Sequence, residues 1–326
     1  MAELDLPVDQ LRTFTASLDT PEDLDAFWEA TLAESRAARR PTEISAPVVD
    51  LPGLTVRDVT FSGFGGDPIR AWLATPKGAT DLPVVVEYIG YGGGRGLPYE
   101  YSLLPAAGYA HLIMDTRGQA SAWGNGGDTA DPHATGPSVP GFMTRGIESP
   151  ETYYYRRVFT DATLAVDVAR ELPGVDAGRV AVKGSSQGGG IAIAAASLAD
   201  GVGAALIDVP FLCNFPRAIR MTDSDPYAEI RRYLAVHRGG VEAVHQTLAY
   251  FDGANLAPRA TAPSVWSVAI MDDICPPSTV YSAYNAYAGP KSIVEYAFNG
   301  HEGGQMHQVE HHLALLEKAL TRQPAA

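Results

Sequence analysis

The chain has 326 residues, 46% of them hydrophobic and 19% charged, which is typical of soluble globular proteins and unlike disordered or fibrous chains. Its 24 Lys and Arg residues against 38 Asp and Glu residues give a net charge of −14, the wrong sign for a surface that binds phosphate backbones. Nucleic acid and anionic membranes are therefore not expected as partners. The longest apolar stretches, such as residues 191–196, are far shorter than the ~20 residues of a membrane span.

The amino-terminal residues and the cysteines bear on compartment and cofactors. The first residues are acidic and carry neither the basic nor the apolar region of a secretion signal, which predicts a cytoplasmic protein. Cys213 and Cys275 are too few for a disulfide framework or a cysteine-built zinc site, and neither lies in a Cys-x-x-Cys pair. We expect reduced thiols, no metal and no other cofactor.

Strand and helix patterns alternate along most of the chain. Thr20, Pro21 and Asp23 resemble a helix start, which predicts a helix from residue 20 to about residue 39 inside an amino-terminal extension, residues 1–50. Residues 54–61 and 68–74 are expected to form a hairpin. Six later segments are short, apolar and mostly β-branched, as buried parallel strands are: 83–89, 109–114, 179–183, 204–209, 265–271 and 293–297. Helical patterns separate or follow them at 155–172, 188–198, 277–288 and 305–321.

This alternation predicts one α/β domain over residues 1–326, with a mostly parallel sheet covered on both faces. Two segments interrupt it. Residues 121–150 are rich in Gly, Pro, Asp and Ser, and we interpret them as a loop-rich insertion that forms a subunit contact or covers the site. Residues 211–260 form a mostly helical insertion between two candidate core strands, where lids over pockets are commonly built.

The main chemical signal is a possible nucleophile elbow. Residues 184–188 read Gly-Ser-Ser-Gln-Gly and lie between a predicted strand and a predicted helix of small residues. Such a turn forces the central serine into a strained backbone conformation, and larger flanking side chains would collide with the neighbouring elements. Ser186 is therefore the candidate nucleophile, and a glycine-rich turn without a catalytic role is the alternative.

A serine nucleophile needs a base, and the base needs an acid that fixes its tautomer. In α/β hydrolases the chain order is Ser, then Asp or Glu, then His, with the last two on loops after late strands. Asp272 follows the predicted strand 265–271, and His301 follows the strand 293–297. Asp273 is the rival for the acid, but adjacent side chains point in different directions, so we expect Asp272 to reach the imidazole.

A second histidine pattern is typical of another chemistry, metal-dependent hydrolysis. His307, Glu310 and His311 match H-x-x-E-H, which is known from zinc metallopeptidases. A catalytic zinc site needs a third protein ligand, and the remaining candidates, His312 and Glu317, lie on the same terminal helix. We therefore expect a solvated helix face there and no zinc.

Acyl transfer also needs donors for a negatively charged oxygen. The backbone N–H groups of Gln187, after the nucleophile, and of Tyr91, in the glycine-rich run after the strand 83–89, are the candidates. That run lacks the G-x-G-x-x-G spacing of a dinucleotide loop, and Pro98 interrupts the helix that would receive a phosphate. Arg117, directly after another strand, is expected to tie loops together or to contact substrate.

Four separated motifs closely resemble the signature of the acetyl xylan esterase and cephalosporin C deacetylase family, carbohydrate esterase family seven. They are Arg-Gly-Gln at 117–119, Gly-Ser-Ser-Gln-Gly-Gly at 184–189, Met-Asp-Asp-Ile-Cys-Pro-Pro-Ser-Thr at 271–279 and His-Glu at 301–302. The resemblance covers nearly the whole chain, including residues 90–96 and 250–252. It implies an α/β-hydrolase fold, a triad of Ser186, Asp272 and His301, an oxyanion hole from the N–H groups of Tyr91 and Gln187, and no metal.

The resemblance also implies a reaction and an assembly. Members remove acetyl groups from small substrates such as acetylated xylo-oligosaccharides and cephalosporin C, and they are typically cytoplasmic hexamers whose active sites face an internal chamber that excludes polymeric xylan. Arg117, Gln119 and Pro210 are expected to bind substrate or to have structural roles. One stretch departs from the family pattern, because Asn214 and Pro216 stand where a histidine and an arginine are expected. It lies near the start of the insertion 211–260, so we expect acyl and alcohol preference to be the properties that this departure changes.

The sequence thus predicts a serine esterase in which Ser186 attacks an acetyl carbonyl and His301 transfers the proton. The alternatives are an esterase or peptidase of the same fold with another acyl preference, and a catalytically silent hydrolase fold used for binding or assembly.

Overall fold

A nine-stranded sheet forms the frame of the protein, in a computed structural model that describes residues 5–134 and 138–321. The strands lie in the order β1-β2-β3-β5-β4-β6-β7-β8-β9. Neighbours from β1 to β5 pair antiparallel, and the pairs from β5 to β9 are parallel. The strands are β1 Glu43–Asp50, β2 Leu54–Ser62, β3 Pro68–Pro76, β4 Leu82–Tyr88, β5 Ala110–Met114, β6 Val175–Ser185, β7 Ala204–Asp208, β8 Ser264–Ala269 and β9 Lys291–Tyr296.

Eleven α-helices lie within the described residues: α1 Val8–Leu11, α2 Leu24–Ala37, α3 Leu103–Ala106, α4 Tyr154–Ala169, α5 Gln187–Leu198, α6 Phe215–Met221, α7 Tyr227–Val236, α8 Val241–Ala249, α9 Gly253–Leu256, α10 Pro277–Ala286 and α11 Met306–Leu320. None of the helices in that part of the chain is both long and apolar enough to cross a membrane.

The parallel strands are apolar on both faces because helices cover both. Val84 and Val86 of β4 pack in the larger core with α4 and α5, while the intervening Val85 belongs to a smaller core with Leu316 and Leu320 of α11. This alternation follows from the two-residue period of a strand. The prediction of a mostly parallel sheet with helices on both faces is confirmed.

The structure differs from the sequence analysis at two places near the amino terminus. The first long helix begins at Leu24, with Asp23 at its N-cap, and the Thr20 hydroxyl instead donates a hydrogen bond to Asn255 Oδ1 at 2.9 Å. Residues 43–50, for which the sequence analysis named no strand, form β1. This edge strand shows almost no alternation, because Val49 is its one buried residue and its register against β2 shifts on both sides of Pro47.

The two insertions differ in structure. Residues 211–260 contain helices α6 to α9, as the helical pattern predicted. In the described part of residues 121–150, the regular structure is a single 3₁₀ turn, Phe142–Thr144; residues 135–137 of this segment lie outside the described residues. Both insertions come close to the carboxyl ends of the parallel strands, where they meet the candidate site.

Candidate active site

The turn between β6 and α5 holds Ser186 in a backbone conformation that few residues adopt, with φ 57° and ψ −121°. The flanking glycines are required by close approach. A Cβ on Gly184 would lie 2.0 Å from the carbonyl oxygen of Gly188, and a Cβ on Gly188 would lie 2.1 Å from that of Tyr88. The turn therefore presents Ser186 at the end of the sheet as a nucleophile elbow does.

Two later loops bring an imidazole and a carboxylate to this serine. His301 Nε2 lies 2.8 Å from Ser186 Oγ, and His301 Nδ1 lies 2.8 Å from Asp272 Oδ2. Asp272 is buried, and its other oxygen accepts hydrogen bonds from two backbone N–H groups, of Ile274 and Cys275, each at 2.9 Å. The carboxylate is thus fixed with one oxygen directed at the imidazole, which can accept the serine proton.

The rival acid is directed elsewhere. Asp273 Oδ2 accepts a hydrogen bond from Ser224 Oγ at 3.0 Å, and the backbone carbonyl of Asp273 accepts one from Thr222 Oγ1. Asp272 is therefore the carboxylate that reaches His301.

One candidate oxyanion donor, Gln187, belongs to the elbow, and the other, Tyr91, belongs to the loop after β4. Gln187 is the first residue of α5, and a first-turn N–H has no partner within its helix. Tyr91 follows β4, and among the described residues none accepts a hydrogen bond from its backbone N–H. Preorganised N–H groups of this kind can stabilise a negatively charged oxygen.

The Tyr91 segment is held by residues that the sequence reasoning missed. The Trp123 indole donates a hydrogen bond to the carbonyl of Tyr91 at 2.7 Å. The ring also packs against Gly93, where an added Cβ would lie 2.3 Å from it. The Tyr91 hydroxyl donates to Glu229 of α7 at 2.7 Å. Glu229 lies 138 positions away in the chain, and no local pattern could have linked the two residues.

Glu229 and the Tyr91 hydroxyl form a closely packed polar contact. Burial raises the pKa of Glu229, although the hydrogen bonds from Tyr91 and from the backbone N–H of Met143 act in the opposite direction. Burial and the neighbouring Glu229 carboxylate raise the pKa of Tyr91, so the phenol stays protonated and donates. The same hydroxyl accepts the N–H groups of Gly141 and Phe142 at 3.1 and 2.9 Å, which joins both insertions to the loop.

Arg117, Gln119 and Pro210 are all buried. Arg117 donates to both oxygens of Asp161, at 2.6 and 2.7 Å, and to Asp67 at 2.8 Å. Burial alone would lower the pKa of Arg117, but these carboxylates outweigh it and raise that pKa. The guanidinium therefore joins helix α4 to the turn between β2 and β3.

Pro210 lies against the start of α5, since a Cβ on Gly189 would meet its Cα at 3.0 Å. Asn214, one of the two departures from the family pattern, caps α6: its side chain accepts the N–H of Arg217 at 3.3 Å and donates to Ser282 Oγ at 2.8 Å.

The second histidine pattern lies on an exposed helix face, where His307, Glu310 and His311 all face solvent on α11. In the part of the chain described here, the one group of three potential metal ligands is Asp272, Cys275 and His301, with ligand atoms within 4.8 Å of one another. Two of these are already hydrogen-bonded to each other, and burial raises the pKa of the Cys275 thiol well above its ordinary value, which disfavours a thiolate ligand.

Two cavities border the site from different sides. One, of about 360 Å³, is lined by Asp272, Met271 and residues 222–224 in the loop between α6 and α7. Another, of about 500 Å³, lies on the opposite face of the sheet behind Ser185 and is walled by residues 302–306.

A mostly parallel sheet, a strained serine between strand and helix, and an acid and a histidine after the last two strands together define an α/β hydrolase with a serine-centred site. Comparison with known proteins narrows this class. The family model described as acetyl xylan esterase (AXE1) matches residues 1–319. The chain belongs to the acetyl xylan esterase family, a family of carboxylic ester hydrolases.

Solved structures agree with this assignment. An acetyl xylan esterase from Paenibacillus sp. R4 is 38% identical, with a TM-score of 0.88 over 97% of this chain and 100% of that one. Acetyl xylan esterase 1 from Thermoanaerobacterium sp. JW/SL YS485 is 31% identical, with a TM-score of 0.88 over 96% of this chain and 99% of that one.

A curated relative, acetyl esterase Axe7A of Xylanibacter ruminicola, is 27% identical over 299 residues, which cover 86% of this chain. The match spans only 63% of that relative's own length.

Proposed function

We propose that the protein is a serine esterase that removes O-acetyl groups from small substrates through an acetyl-enzyme. The observation that carries this proposal is the continuous hydrogen-bonded chain from Ser186 Oγ through His301 to Asp272, at 2.8 Å for each contact. The family membership and the names of the relatives support the acetyl group as the acyl part.

In the acylation step, Ser186 Oγ attacks the acetyl carbonyl carbon while His301 Nε2 takes the hydroxyl proton. The carbonyl π electrons move to oxygen, and the resulting oxyanion accepts hydrogen bonds from the N–H groups of Tyr91 and Gln187. Asp272 stabilises the imidazolium at Nδ1. His301 then gives the proton to the leaving alcohol oxygen as the carbon–oxygen bond breaks, which leaves acetyl-Ser186.

In the deacylation step, water takes the place of the alcohol. His301 accepts a proton from the water as its oxygen attacks the acetyl carbon, and the second tetrahedral intermediate uses the same two N–H donors. Return of the proton to Ser186 Oγ releases acetic acid and restores the free enzyme.

Acetylated xylo-oligosaccharides and cephalosporin C are the substrates we propose. The support is the family description, the two acetyl xylan esterases of similar structure, and the resemblance of the motifs at 117–119, 184–189 and 301–302. The same resemblance supports a cytoplasmic homohexamer. Light scattering on the purified protein distinguishes a hexamer from a monomer, and acetate release from cephalosporin C tests that substrate directly.

The deciding experiment compares hydrolysis of p-nitrophenyl acetate, butyrate and octanoate by the wild type, Ser186→Ala and Ser185→Ala, with a chelator present. We expect acetate to be hydrolysed fastest, and Ser186→Ala to lower kcat by roughly a thousandfold or more. Ser185→Ala is the matched control, because its side chain lines the cavity on the opposite face of the sheet.

Three results would contradict the proposal. If Ser186→Ala keeps its activity, Ser186 is not the nucleophile. If the chelator abolishes the activity of the wild type, the mechanism depends on a metal. A preference for octanoate favours the same fold with another acyl preference, since an acetyl pocket rejects each extra methylene by about 1 kcal/mol or more.

A further inference from the structure

We propose that Gln119 is a positioning residue that fixes the two N–H donors of the oxyanion hole relative to each other. The inference rests on the proposed function and adds to it a group that touches neither substrate nor the reacting atoms. Gln119 is buried and lies between the loop that carries Tyr91 and the elbow that carries Gln187.

On the loop side, two glutamine side chains hold the backbone on both sides of Tyr91. Gln119 Oε1 accepts the backbone N–H of Gly92 at 2.7 Å, and Gln187 Nε2 donates to the carbonyl of Ile89 at 3.0 Å. Tyr91 lies between these two anchored peptide groups, so the direction of its own N–H depends on both contacts.

The two glutamines also bind each other. Gln119 Nε2 donates to Gln187 Oε1 at 2.9 Å, across 68 positions of sequence. Because Gln187 supplies the second oxyanion donor from its backbone, this contact ties the residue that carries one donor to the loop that carries the other.

The surrounding hydroxyl groups leave this bridge one orientation. The Tyr154 hydroxyl donates to the carbonyl of Arg117 at 2.5 Å and therefore accepts from Gln119 Nε2 at 3.0 Å. The Tyr155 hydroxyl donates to Gln187 Oε1 at 2.8 Å. Every polar atom of both side-chain amides has a partner, and a flipped amide would place donor against donor or acceptor against acceptor.

Such a bridge acts on the transition state rather than on substrate binding. Oxyanion donors contribute most when they already point to the position of the developing charge, and removing one donor outright costs about 10²- to 10³-fold in kcat. Loss of Gln119 leaves both N–H groups in place and loosens their spacing, so we expect a smaller fall in kcat and little change in KM.

The first test compares Gln119→Met with Gln308→Met, using p-nitrophenyl acetate. Methionine keeps the length of the side chain and removes its hydrogen bonds. Gln308 is the matched control because it is equally buried and bonds a tyrosine hydroxyl and a backbone carbonyl, at Tyr296 and Trp266, away from the oxyanion loop. We expect Gln119→Met to lower kcat about 10- to 100-fold with KM within about threefold, and Gln308→Met to leave both nearly unchanged.

A double-variant cycle tests the bridge itself. If the two glutamines act as one unit, Gln119→Met and Gln187→Met lower kcat by factors that do not multiply in the double variant. Gln119→Glu is the second variant should Gln119→Met fail to fold: it keeps the acceptor for Gly92 but turns a carboxylate oxygen toward Gln187 Oε1, and it is expected to lower kcat in the same way.

The results separate this inference from the proposed function. If the wild type hydrolyses the ester and a phosphonate labels Ser186, while folded Gln119→Met or Gln119→Glu keeps the kcat of the Gln308→Met control, the inference is wrong and the esterase stands. If the kcat factors of Gln119→Met and Gln187→Met multiply in the double variant, the two side chains act independently and the inference is also wrong. If the wild type neither hydrolyses any of the esters nor is labelled, both fall together.

Discussion

The nucleophile elbow and the oxyanion loop adjoin each other, but they are held in place by different means. The elbow, residues 184–188, is fixed by its own backbone. Its two glycines pack so closely that an added Cβ on either would lie about 2 Å from a carbonyl oxygen, and Ser186 has a positive φ. The oxyanion loop, residues 90–96, is fixed from outside by Gln119, Trp123 and Glu229.

Because the two regions are held differently, substitutions should affect folding in one and kcat in the other. A backbone-held turn fails when a side chain is added, because a carbonyl oxygen cannot rotate away. A loop held by distant side chains keeps its fold when one of them is removed, and loses only the accuracy with which its N–H group points. Substitutions in the elbow should therefore cost folding free energy, and those around the oxyanion loop should cost kcat.

The largest effect is expected at Gly188. In Gly188→Ala the new Cβ would lie 2.1 Å from the carbonyl oxygen of Tyr88 at the end of β4, so α5 and β4 must separate. We expect the free energy of unfolding to fall by about 4 kcal/mol or more, measured by denaturant titration. Gly239→Ala is the control, since nothing lies within 4 Å of its added Cβ. Equal midpoints for the two variants would contradict a backbone-held elbow.

The next effect concerns Asp252, which anchors the insertion that carries Glu229. Its buried carboxylate accepts the N–H groups of Asn214 and Phe215 at 2.8 Å and that of Ala254 at 2.9 Å, yet burial raises the pKa of Asp252 to about 6. A raised pKa means that the folded chain binds this proton more tightly than the unfolded chain does. The stabilisation is complete below about pH 4 and is lost as the pH rises through about 6.

Asp252→Asn removes this titration. The unfolding free energy of the wild type relative to Asp252→Asn should therefore fall by about 3 kcal/mol between about pH 3 and pH 7.5, since each pKa unit corresponds to about 1.4 kcal/mol. Urea titrations of both proteins at several pH values measure the difference. A difference that stays constant, or that rises with pH, would show that Asp252 does not charge in this range.

The smallest effect is expected at Glu229. Glu229→Ala leaves the Tyr91 hydroxyl without its acceptor, a loss of about 1.5 to 3 kcal/mol for a hydrogen bond to a charged group. If about half of this loss reaches the transition state, kcat falls about 4- to 13-fold. Glu229→Gln, which keeps an acceptor, should restore part of the rate. Glu242→Ala, on the exposed side of α8 in the same insertion, is the control. A fall in kcat shared by the control would assign the effect to the insertion as a whole.

Sequence reasoning was most specific where chemistry and chain order coincide. The strand, glycine-flanked serine and small-residue helix led to Ser186, and the order of late strands led to Asp272 and His301, which the structure brings within 2.8 Å contacts. It failed at β1, where an exposed edge strand with Pro47 shows no alternation, and at the start of α2, where the Thr20 hydroxyl has a tertiary partner instead of a capping role.

The sequence by itself determined the elbow, the order of the acid and the base, and a mostly parallel sheet, because these depend on local backbone sterics and on residue periodicities of two and 3.6. Only the tertiary structure decided that Arg117 binds Asp161 and that Gln119 and Glu229 hold the oxyanion loop. These contacts join residues up to 138 positions apart, and a hydrogen bond at that separation follows from how the elements pack, which leaves no periodic trace in the chain.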